Sequence, residues 1–269
     1  MRVRLRTKIT LQAIIKRLSI LSNQVVYMGM VLSTMPIGDY DRRVVLLTKE
    51  CGKISAFAKG ARRPNSALLA CSQPFTFGYF TLIEGRSSYN MVSAQIDNYF
   101  TELREELDSV AMGMYFCEFA DYYGRENMEA MSMLKLLYQS LRALGKNTIS
   151  KSLIRYIFEQ KIMAINGEGP QVFSCLKCNE GVVCDKPYLF HVREGGILCE
   201  NCKRQVSGGF YLQPATIYTL QYIASSPIEK LYTFRVSDEV LEEVAKLNDQ
   251  YMELYIDRKF RSLKMFDPF

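Results

Sequence analysis

Two pairs of cysteines form the most specific chemical pattern in this sequence. Cys175 and Cys178 are separated by two residues, and after twenty further residues Cys199 and Cys202 repeat that spacing. A two-residue separation lets both thiolates of a pair reach one ion, and two such pairs complete a tetrahedral site. Four sulfur ligands leave no open position for water or substrate. The pattern therefore predicts a structural zinc ion, with reduced, metal-free cysteines as the alternative.

The other potential ligands have simpler explanations. Cys184 and His191 lie between the two pairs, but His191 is the only histidine, and a lone histidine is more often a hydrogen-bonded structural residue. We expect both to be bystanders. Cys51, Cys71 and Cys117 lie in apolar segments, where cysteine packs as a small core residue. Eight cysteines are too few for a disulfide scaffold, which favours metal binding in a reducing compartment.

Motifs for catalysis are missing from the sequence. No serine stands in a G-x-S-x-G motif, and Gly145-Lys146-Asn147 lacks the upstream glycine and the following Ser or Thr of a phosphate-binding loop. A zinc hydrolase or nuclease is a weak alternative, because such enzymes keep an open coordination position. We therefore predict that the protein is not an enzyme.

A second pattern is a group of basic residues between positions 42 and 63. Residues 59–66, KGARRPNS, form a basic loop interrupted by glycine and proline. Such a loop offers backbone N–H groups and guanidinium groups to phosphates. The predicted DNA contacts are Arg42, Arg43, Lys49, Lys53, Lys59, Arg62 and Arg63. Nearby aromatic residues can stack on unpaired bases, although most must be core: Phe57, Phe75, Phe77, Tyr79 and Phe80.

The net charge of +6 does not itself indicate a nucleic-acid partner. Residues 1–22 hold six basic residues and no acid, so residues 23–269 are formally neutral. The evidence for DNA binding must come from a local patch. Residues 1–22 make a poor signal peptide, because Lys16 and Arg17 interrupt the apolar run. Disorder, an upstream start-site artefact and a crude nucleic-acid contact remain open for this segment. No window predicts a membrane span, so we expect a cytoplasmic protein.

The spacing of apolar residues divides the chain into two classes of structure. Strands are predicted at residues 25–33, 43–48, 54–59, 75–84 and 89–95, which are rich in β-branched and aromatic residues. Both faces of the fourth strand are apolar, which favours a small closed barrel. After residue 101 apolar residues recur at steps of three and four, as in Met131, Leu134, Leu137 and Leu141. Further helices are predicted at 149–165, from Pro214, and after an N-cap at Ser237.

These segments predict an α+β fold with five parts. They are a basic N-terminal extension at 1–23, a barrel domain at 24–101, the first part of a helical domain at 102–170, a zinc-binding insert at 171–206, and the second part of the helical domain at 207–269.

The sequence resembles the bacterial RecO family of DNA repair proteins from about residue 26 to residue 260. The resemblance rests on PIGDYDRRVVLLTKE at 36–50, AKGARR at 58–63, QPF at 73–75, and the four cysteines with GGILC at 195–199. The first 22 residues depart from the family, whose members usually begin close to the first strand.

The resemblance implies an N-terminal OB-fold, a helical domain and an inserted zinc-ribbon-like segment, although some members lack the zinc site. It also implies a recombination mediator of the RecF pathway that binds single- and double-stranded DNA and anneals complementary strands. With RecR, it would help RecA replace single-stranded DNA-binding protein, whose acidic tail docks on the helical domain in this family. The alternative is a zinc-stabilised protein-interaction adaptor with incidental DNA binding.

Overall fold

The computed structural model describes residues 23–265, which divide into two compact units. The first, here called the barrel unit, contains residues 23–100 and 124–134. The second, the helical unit, contains residues 101–123 and 135–265. Residues 1–22, which make up nearly all of the predicted basic extension, lie outside the described residues.

The barrel unit is built on five strands that close in the order β1-β2-β3-β5-β4. The strands are β1 (Gln24–Ile37), β2 (Asp41–Thr48), β3 (Gly52–Ala58), β4 (Phe77–Glu84) and β5 (Tyr89–Asn98). The long β1 pairs with β4 along its first half and with β2 along its second, and a bulge lies between Val31 and Ser33. A parallel pairing of β3 with β5 closes the barrel. The predicted OB-like barrel is confirmed.

Alternation of side chains along the strands fills the barrel interior. In β3 every second residue is buried, and Ile54, Ala56 and Ala58 point inward. Val44 and Leu46 of β2 meet them in the same core. The small alanines fit the narrow interior of a five-stranded barrel. The alternate residues of β3 are only partly buried and lie on the outer face of the barrel: Lys53, Ser55 and Phe57.

A segment distant in sequence packs on the turn between β2 and β3. The backbone N–H of Asn127 donates to the Cys51 carbonyl at 2.9 Å, and that of Lys53 donates to the Arg125 carbonyl at 3.1 Å. Gly52 has φ +64°, and a Cβ there would lie 2.1 Å from the Arg125 oxygen. Residue 52 must therefore be glycine, both for its backbone conformation and for this close approach.

The part of the chain that the structure describes has five long helices. They are α2 (Leu107–Tyr123), α3 (Met131–Lys146), α4 (Lys151–Ile165), α5 (Pro214–Ser225) and α6 (Asp238–Tyr255), while the four-residue α1 (Leu68–Cys71) belongs to the barrel unit. Four of the five lie entirely in the helical unit, and the fifth, α3, has its first four residues in the barrel unit. The predicted N-cap at Ser237 is confirmed, because its side chain accepts from the Val240 N–H. Among residues 23–265, no helix combines the length and apolar character needed to cross a bilayer.

A small sheet lies in and beside the cysteine segment. Its strands are β6 (Tyr188–His191), β7 (Gly196–Leu198) and β8 (Phe210–Leu212), in the antiparallel order β7-β6-β8. Phe190, Ile197 and Leu198 are buried. This sheet positions the second cysteine pair, because Cys199 directly follows β7.

Candidate metal centre and nucleic-acid interface

The four predicted ligand cysteines converge in space. The sulfur atoms of Cys175, Cys178, Cys199 and Cys202 all lie within 4.8 Å of one another. The Cys178 and Cys199 sulfurs are 3.6 Å apart. An ion bound tetrahedrally at about 2.3 Å from each sulfur would hold its ligands about 3.8 Å apart. The four sulfurs are therefore grouped closely enough to hold one metal ion.

Backbone hydrogen bonds shape the turn at each cysteine pair. The N–H of Cys175 donates to the Glu180 carbonyl at 2.8 Å, and the N–H of Asn179 donates to the Cys175 carbonyl at 3.0 Å. In the second pair the Cys202 N–H donates to the Cys199 carbonyl at 3.1 Å. These bonds turn both sulfurs of a pair toward the same point.

Two glycines let the chain enter the second pair. Gly195 has φ +80°, and a Cβ on Gly196 would lie 2.5 Å from the Gln171 carbonyl oxygen. That oxygen accepts from the Ile197 N–H at 3.0 Å, while the Ile197 carbonyl accepts from the Leu176 N–H at 3.0 Å. Gln171, which precedes the first cysteine pair, and Leu176, which lies within it, are thereby hydrogen-bonded to the strand that leads to the second pair.

The electrostatics of the cluster favour a cation. Cys175 is fully buried, which opposes its thiolate, but backbone N–H groups of Cys178, Cys199 and Lys177 outweigh burial and lower its pKa to about 6. Burial and hydrogen bonds to the neighbouring sulfurs raise the pKa of Cys202 to about 12. Thiolates crowded together repel one another, and a divalent cation removes that repulsion.

The two neighbouring ligand candidates lie outside the four-sulfur group. The Cys184 thiol donates to Gln221 Oε1 at 3.3 Å. His191 Nδ1 accepts from the Glu194 N–H at 3.2 Å, and its Nε2 lies 3.2 Å from the Ser207 carbonyl oxygen. Both side chains are satisfied by protein partners, as expected for bystanders.

The structure separates the seven predicted basic residues into two groups. Arg42, Arg43, Lys59, Arg62 and Arg63 lie at the end of the barrel where β2 begins and β3 ends. Lys49 and Lys53 flank the opposite end of the β2–β3 hairpin, where residues 125–127 pack. Lys49 lies six positions after Arg43, which corresponds to about 20 Å along an extended strand.

Arg42 and Arg43 are adjacent on β2 but make different contacts. The Arg42 guanidinium is half-buried and donates to the Leu69 carbonyl at 3.0 Å and to Ser72 Oγ at 2.8 Å. It therefore ties α1 to β2. Arg43 is exposed, donates to Ser55 Oγ at 2.8 Å and lies opposite the half-buried Phe57 on the outer face of the barrel.

The basic loop is fastened to the turn between β1 and β2. Arg62 donates from its backbone to the Tyr40 carbonyl at 2.8 Å and from Nη1 to the Gly38 carbonyl at 2.9 Å. The Arg63 guanidinium lies 5.1 Å from the centroid of the Tyr40 ring. Two segments that are twenty residues apart in sequence thus form one surface.

A pocket of about 660 Å³ lies open to solvent on this surface and is here called the basic pocket. Its lining combines cations, an aromatic ring and small polar groups: Tyr40, Lys59, Gly60, Arg63, Pro64, Asn65 and Ser66. Cations of this kind bind phosphates, and an exposed ring offers a face for stacking.

Comparison with known proteins decides the family. The family model described as "Recombination protein O N terminal" matches residues 23–100, and the one described as "Recombination protein O C terminal" matches residues 104–264. The chain belongs to the RecO family. Membership supports a role in DNA repair and recombination.

Full-length relatives agree with this RecO assignment. The DNA repair protein RecO of Acetivibrio thermocellus is 32% identical over 235 residues, which cover 87% of this chain and 93% of the relative. That of Alkaliphilus metalliredigens is 32% identical over 238 residues, covering 88% and 96%. That of Bacillus subtilis is 27% identical over 239 residues, covering 89% and 92%.

The stacking candidates of this RecO-family barrel divide by burial. Phe75 and Phe80 are 3% and 0% exposed and belong to the core, Phe57 and Phe77 are half-buried, and Tyr79 is exposed on β4. None of these five lines the basic pocket. The aromatic residue that does, Tyr40, was missed by the sequence analysis. Its place between Gly38-Asp39 and Asp41, in a turn next to a basic loop, was the available signal.

Proposed function

We propose that this RecO-family chain is a recombination mediator that binds single- and double-stranded DNA at the end of the barrel that carries the basic pocket. The observation that carries the proposal is the convergence of Lys59, Arg63 and the exposed Tyr40 in one pocket. Two cations and a ring match the alternation of phosphate and base along a nucleic-acid strand.

The remaining basic residues contribute according to their positions. Arg43 extends the phosphate contact along the outer face of the barrel, and Arg62 keeps guanidinium donors beyond its bond to Gly38. Arg42 acts through the fold, because its guanidinium holds α1. Lys49 and Lys53 meet only DNA long enough to span about 20 Å, or about six base pairs at 3.4 Å each.

The proposed ion is Zn²⁺, held by Cys175, Cys178, Cys199 and Cys202. Thiolates are soft ligands that favour zinc, and four of them close its coordination shell. The ion supplies folding energy to the insert proposed at 171–206, between the two parts of the helical domain. Since four sulfur ligands leave no position for water or substrate, the proposed centre is structural. We further propose that the protein is not an enzyme.

The mediator activities rest on family membership. We propose that the chain anneals complementary strands and, with RecR, assists RecA loading onto DNA coated with single-stranded DNA-binding protein. The barrel domain would hold the strands while the helical domain recruits the protein partners. The proposed setting is the bacterial cytoplasm, at the nucleoid during repair.

The proposal is tested by a salt titration of DNA binding. Fluorescence anisotropy of a labelled single strand and of a duplex is measured for the wild-type chain and for the double variant Lys59→Glu/Arg63→Glu. We expect weaker binding to both, and a slope of log K against log salt that falls by about 0.7 per lost single-strand phosphate contact.

The control matches the change of charge. Arg104→Glu/Lys259→Glu reverses two exposed basic residues of the helical unit and alters the net charge by the same amount. It should bind DNA nearly as the wild type does, and circular dichroism should show that both double variants are folded. If the pocket variant binds with unchanged affinity and slope, the proposed DNA site is wrong and the adaptor alternative gains.

A further inference from the structure

Tyr40 is exposed although its position is closely fixed. Its side chain is 53% exposed and follows Gly38, whose φ of +51° turns the chain between β1 and β2. A single exposed aromatic side chain is common on protein surfaces, so the exposure of Tyr40 matters only because of what surrounds the ring. The Tyr40 ring lies outside the barrel core and beside the Arg63 guanidinium.

Two hydrogen bonds to backbone carbonyls fix the turn that carries Tyr40, and one contact reaches its ring. The Tyr40 carbonyl accepts from the Arg62 N–H at 2.8 Å, the Gly38 carbonyl accepts from Arg62 Nη1 at 2.9 Å, and Arg63 lies 5.1 Å from the ring centroid. The guanidinium occupies one face of the ring, and the exposed surface leaves the rest open. A ring that is already positioned loses little conformational entropy when a ligand stacks on it.

The surroundings of the ring suit a nucleotide. Lys59 and Arg63 supply two cations for phosphate, while Asn65 and Ser66 supply polar groups for base or sugar. The pocket volume of about 660 Å³ falls within the range of roughly 300–1,000 Å³ typical of small-ligand sites.

We propose that Tyr40 stacks on an unpaired base and thereby makes the basic pocket select single-stranded over double-stranded DNA. This inference rests on the proposed function of the pocket in DNA binding and assigns its specificity to one residue. A base inside a duplex is stacked on both faces and paired at one edge, so it cannot reach the ring without being extruded. Duplex DNA then meets only the cations of the same surface.

The test compares affinities for a thymidine oligonucleotide and for a duplex of equal length. Tyr40→Ala should weaken single-strand binding by roughly 5- to 150-fold, the range that corresponds to the ~1–3 kcal/mol typical of one base–aromatic stack. Duplex binding should change by less than about two-fold, because phosphate contacts dominate there. Tyr40→Phe keeps the ring and should bind both as the wild type does. Tyr99→Ala removes another exposed ring of the barrel unit, outside the pocket, and should change neither affinity.

A spectroscopic readout reports stacking itself. The chain contains no tryptophan, so Tyr40→Trp introduces a single tryptophan at the site, which can be excited selectively over the tyrosines. We expect its emission to be quenched by the thymidine oligonucleotide and to change little with the duplex. Quenching of equal depth by both ligands would overturn the proposal.

The outcomes separate this inference from the function on which it rests. If Lys59→Glu/Arg63→Glu weakens DNA binding but Tyr40→Ala weakens single-strand and duplex binding equally, or neither, the stacking role is wrong and the phosphate site stands. If the charge reversals leave both affinities unchanged, the DNA site itself is wrong.

Discussion

The carboxylate of Asp41 accepts a hydrogen bond from the backbone N–H of Gly60 at 2.7 Å, which joins the first residue of β2 to the basic loop. Gly60 has φ +67°, so the loop turns at this point in a conformation that glycine adopts freely. An acid thus stands beside the proposed phosphate site. The hydrogen bond from Gly60 favours DNA binding because it positions the loop, whereas the negative charge of Asp41 opposes DNA binding because it repels phosphate.

Removing the Asp41 carboxylate separates these two effects. We predict that Asp41→Ala lowers single-strand affinity roughly three- to ten-fold, since one intramolecular hydrogen bond contributes about 0.5–1.5 kcal/mol to holding the loop. Asp41→Asn keeps an acceptor oxygen and should bind at least as well as the wild type. Anisotropy titrations at fixed salt measure both variants. Tighter binding by Asp41→Ala would show that charge repulsion outweighs loop positioning.

Loss of one ligand of the four-cysteine centre should first destabilise the fold, and DNA binding should decrease as a consequence. We predict that Cys199→Ser lowers the zinc content and the melting temperature together, with DNA binding impaired as a consequence. Atomic emission and a circular-dichroism melt measure the two quantities. Cys184→Ser removes a thiol from the same segment but outside the sulfur cluster, and it should keep its zinc. Selective loss of DNA binding in a folded, zinc-loaded Cys199→Ser protein would contradict this order.

Glu159 is a buried carboxylate at the centre of a side-chain network in the helical unit. It is fully buried and accepts from Tyr115 Oη at 2.5 Å, Arg155 Nε at 2.8 Å and Asn248 Nδ2 at 2.8 Å. Removing one partner of a buried ion pair typically costs about 3–5 kcal/mol, because the other charge stays buried. We predict a loss of this size in the free energy of unfolding for Glu159→Leu, measured in urea.

An exposed ion pair of the same unit provides the comparison. Glu106 pairs with Lys151 at the surface, and Glu106→Gln should cost at most about 1 kcal/mol. Similar losses for Glu159→Leu and Glu106→Gln would refute the claim that the buried network holds α2, α4 and α6 together.

Lys161 stabilises the end of α5 in its charged form although burial opposes that charge. Its ammonium donates to the Ala224 and Ser226 carbonyls, each at 2.8 Å, and the side chain is 8% exposed. Burial lowers the pKa of Lys161, so the unfolded chain binds its proton more tightly. The Lys161 contribution to stability should therefore rise with pH between the folded pKa and the higher unfolded pKa.

Substitution isolates this contribution. Lys161→Met should destabilise the protein by about 1–3 kcal/mol at neutral pH, because two partly buried carbonyls lose their donor. Urea melts at pH 7 and pH 10 should also show a smaller rise in stability with pH for the variant than for the wild type. An equal slope in both proteins would mean that Lys161 keeps its ordinary pKa.

The barrel and the metal cluster were predictable because both depend on local pattern. Apolar residues two positions apart, such as Val44 and Leu46, follow the period of a strand, and the spacing of two C-x-x-C pairs indicates that four sulfurs meet near one point. β1 was predicted too short. The strand continues beyond residue 33 to Ile37. The bulge between Val31 and Ser33 and the proline at position 36 interrupt the alternation of apolar residues by which a strand is predicted.

The arrangement of the basic residues was not predictable, since nearness in sequence does not show which end of a hairpin a residue occupies. Lys49 is six residues from Arg43 yet lies at the other end of β2. Residues 124–134 belong to the barrel unit through contacts such as Asn127 with Cys51, which no periodicity records. The helix α2 is buried on most sides, so it lacks the apolar stripe that marks an amphipathic helix.

The location of bound DNA tests the central claim most directly. A photoreactive thymidine oligonucleotide is crosslinked to the full chain, and the attached peptides are identified by mass spectrometry. We expect crosslinks at Tyr40 and within residues 59–66, which are lost in the Lys59→Glu/Arg63→Glu variant and retained in Arg104→Glu/Lys259→Glu. Crosslinks confined to the helical unit, unchanged by reversal of Lys59 and Arg63, would contradict it.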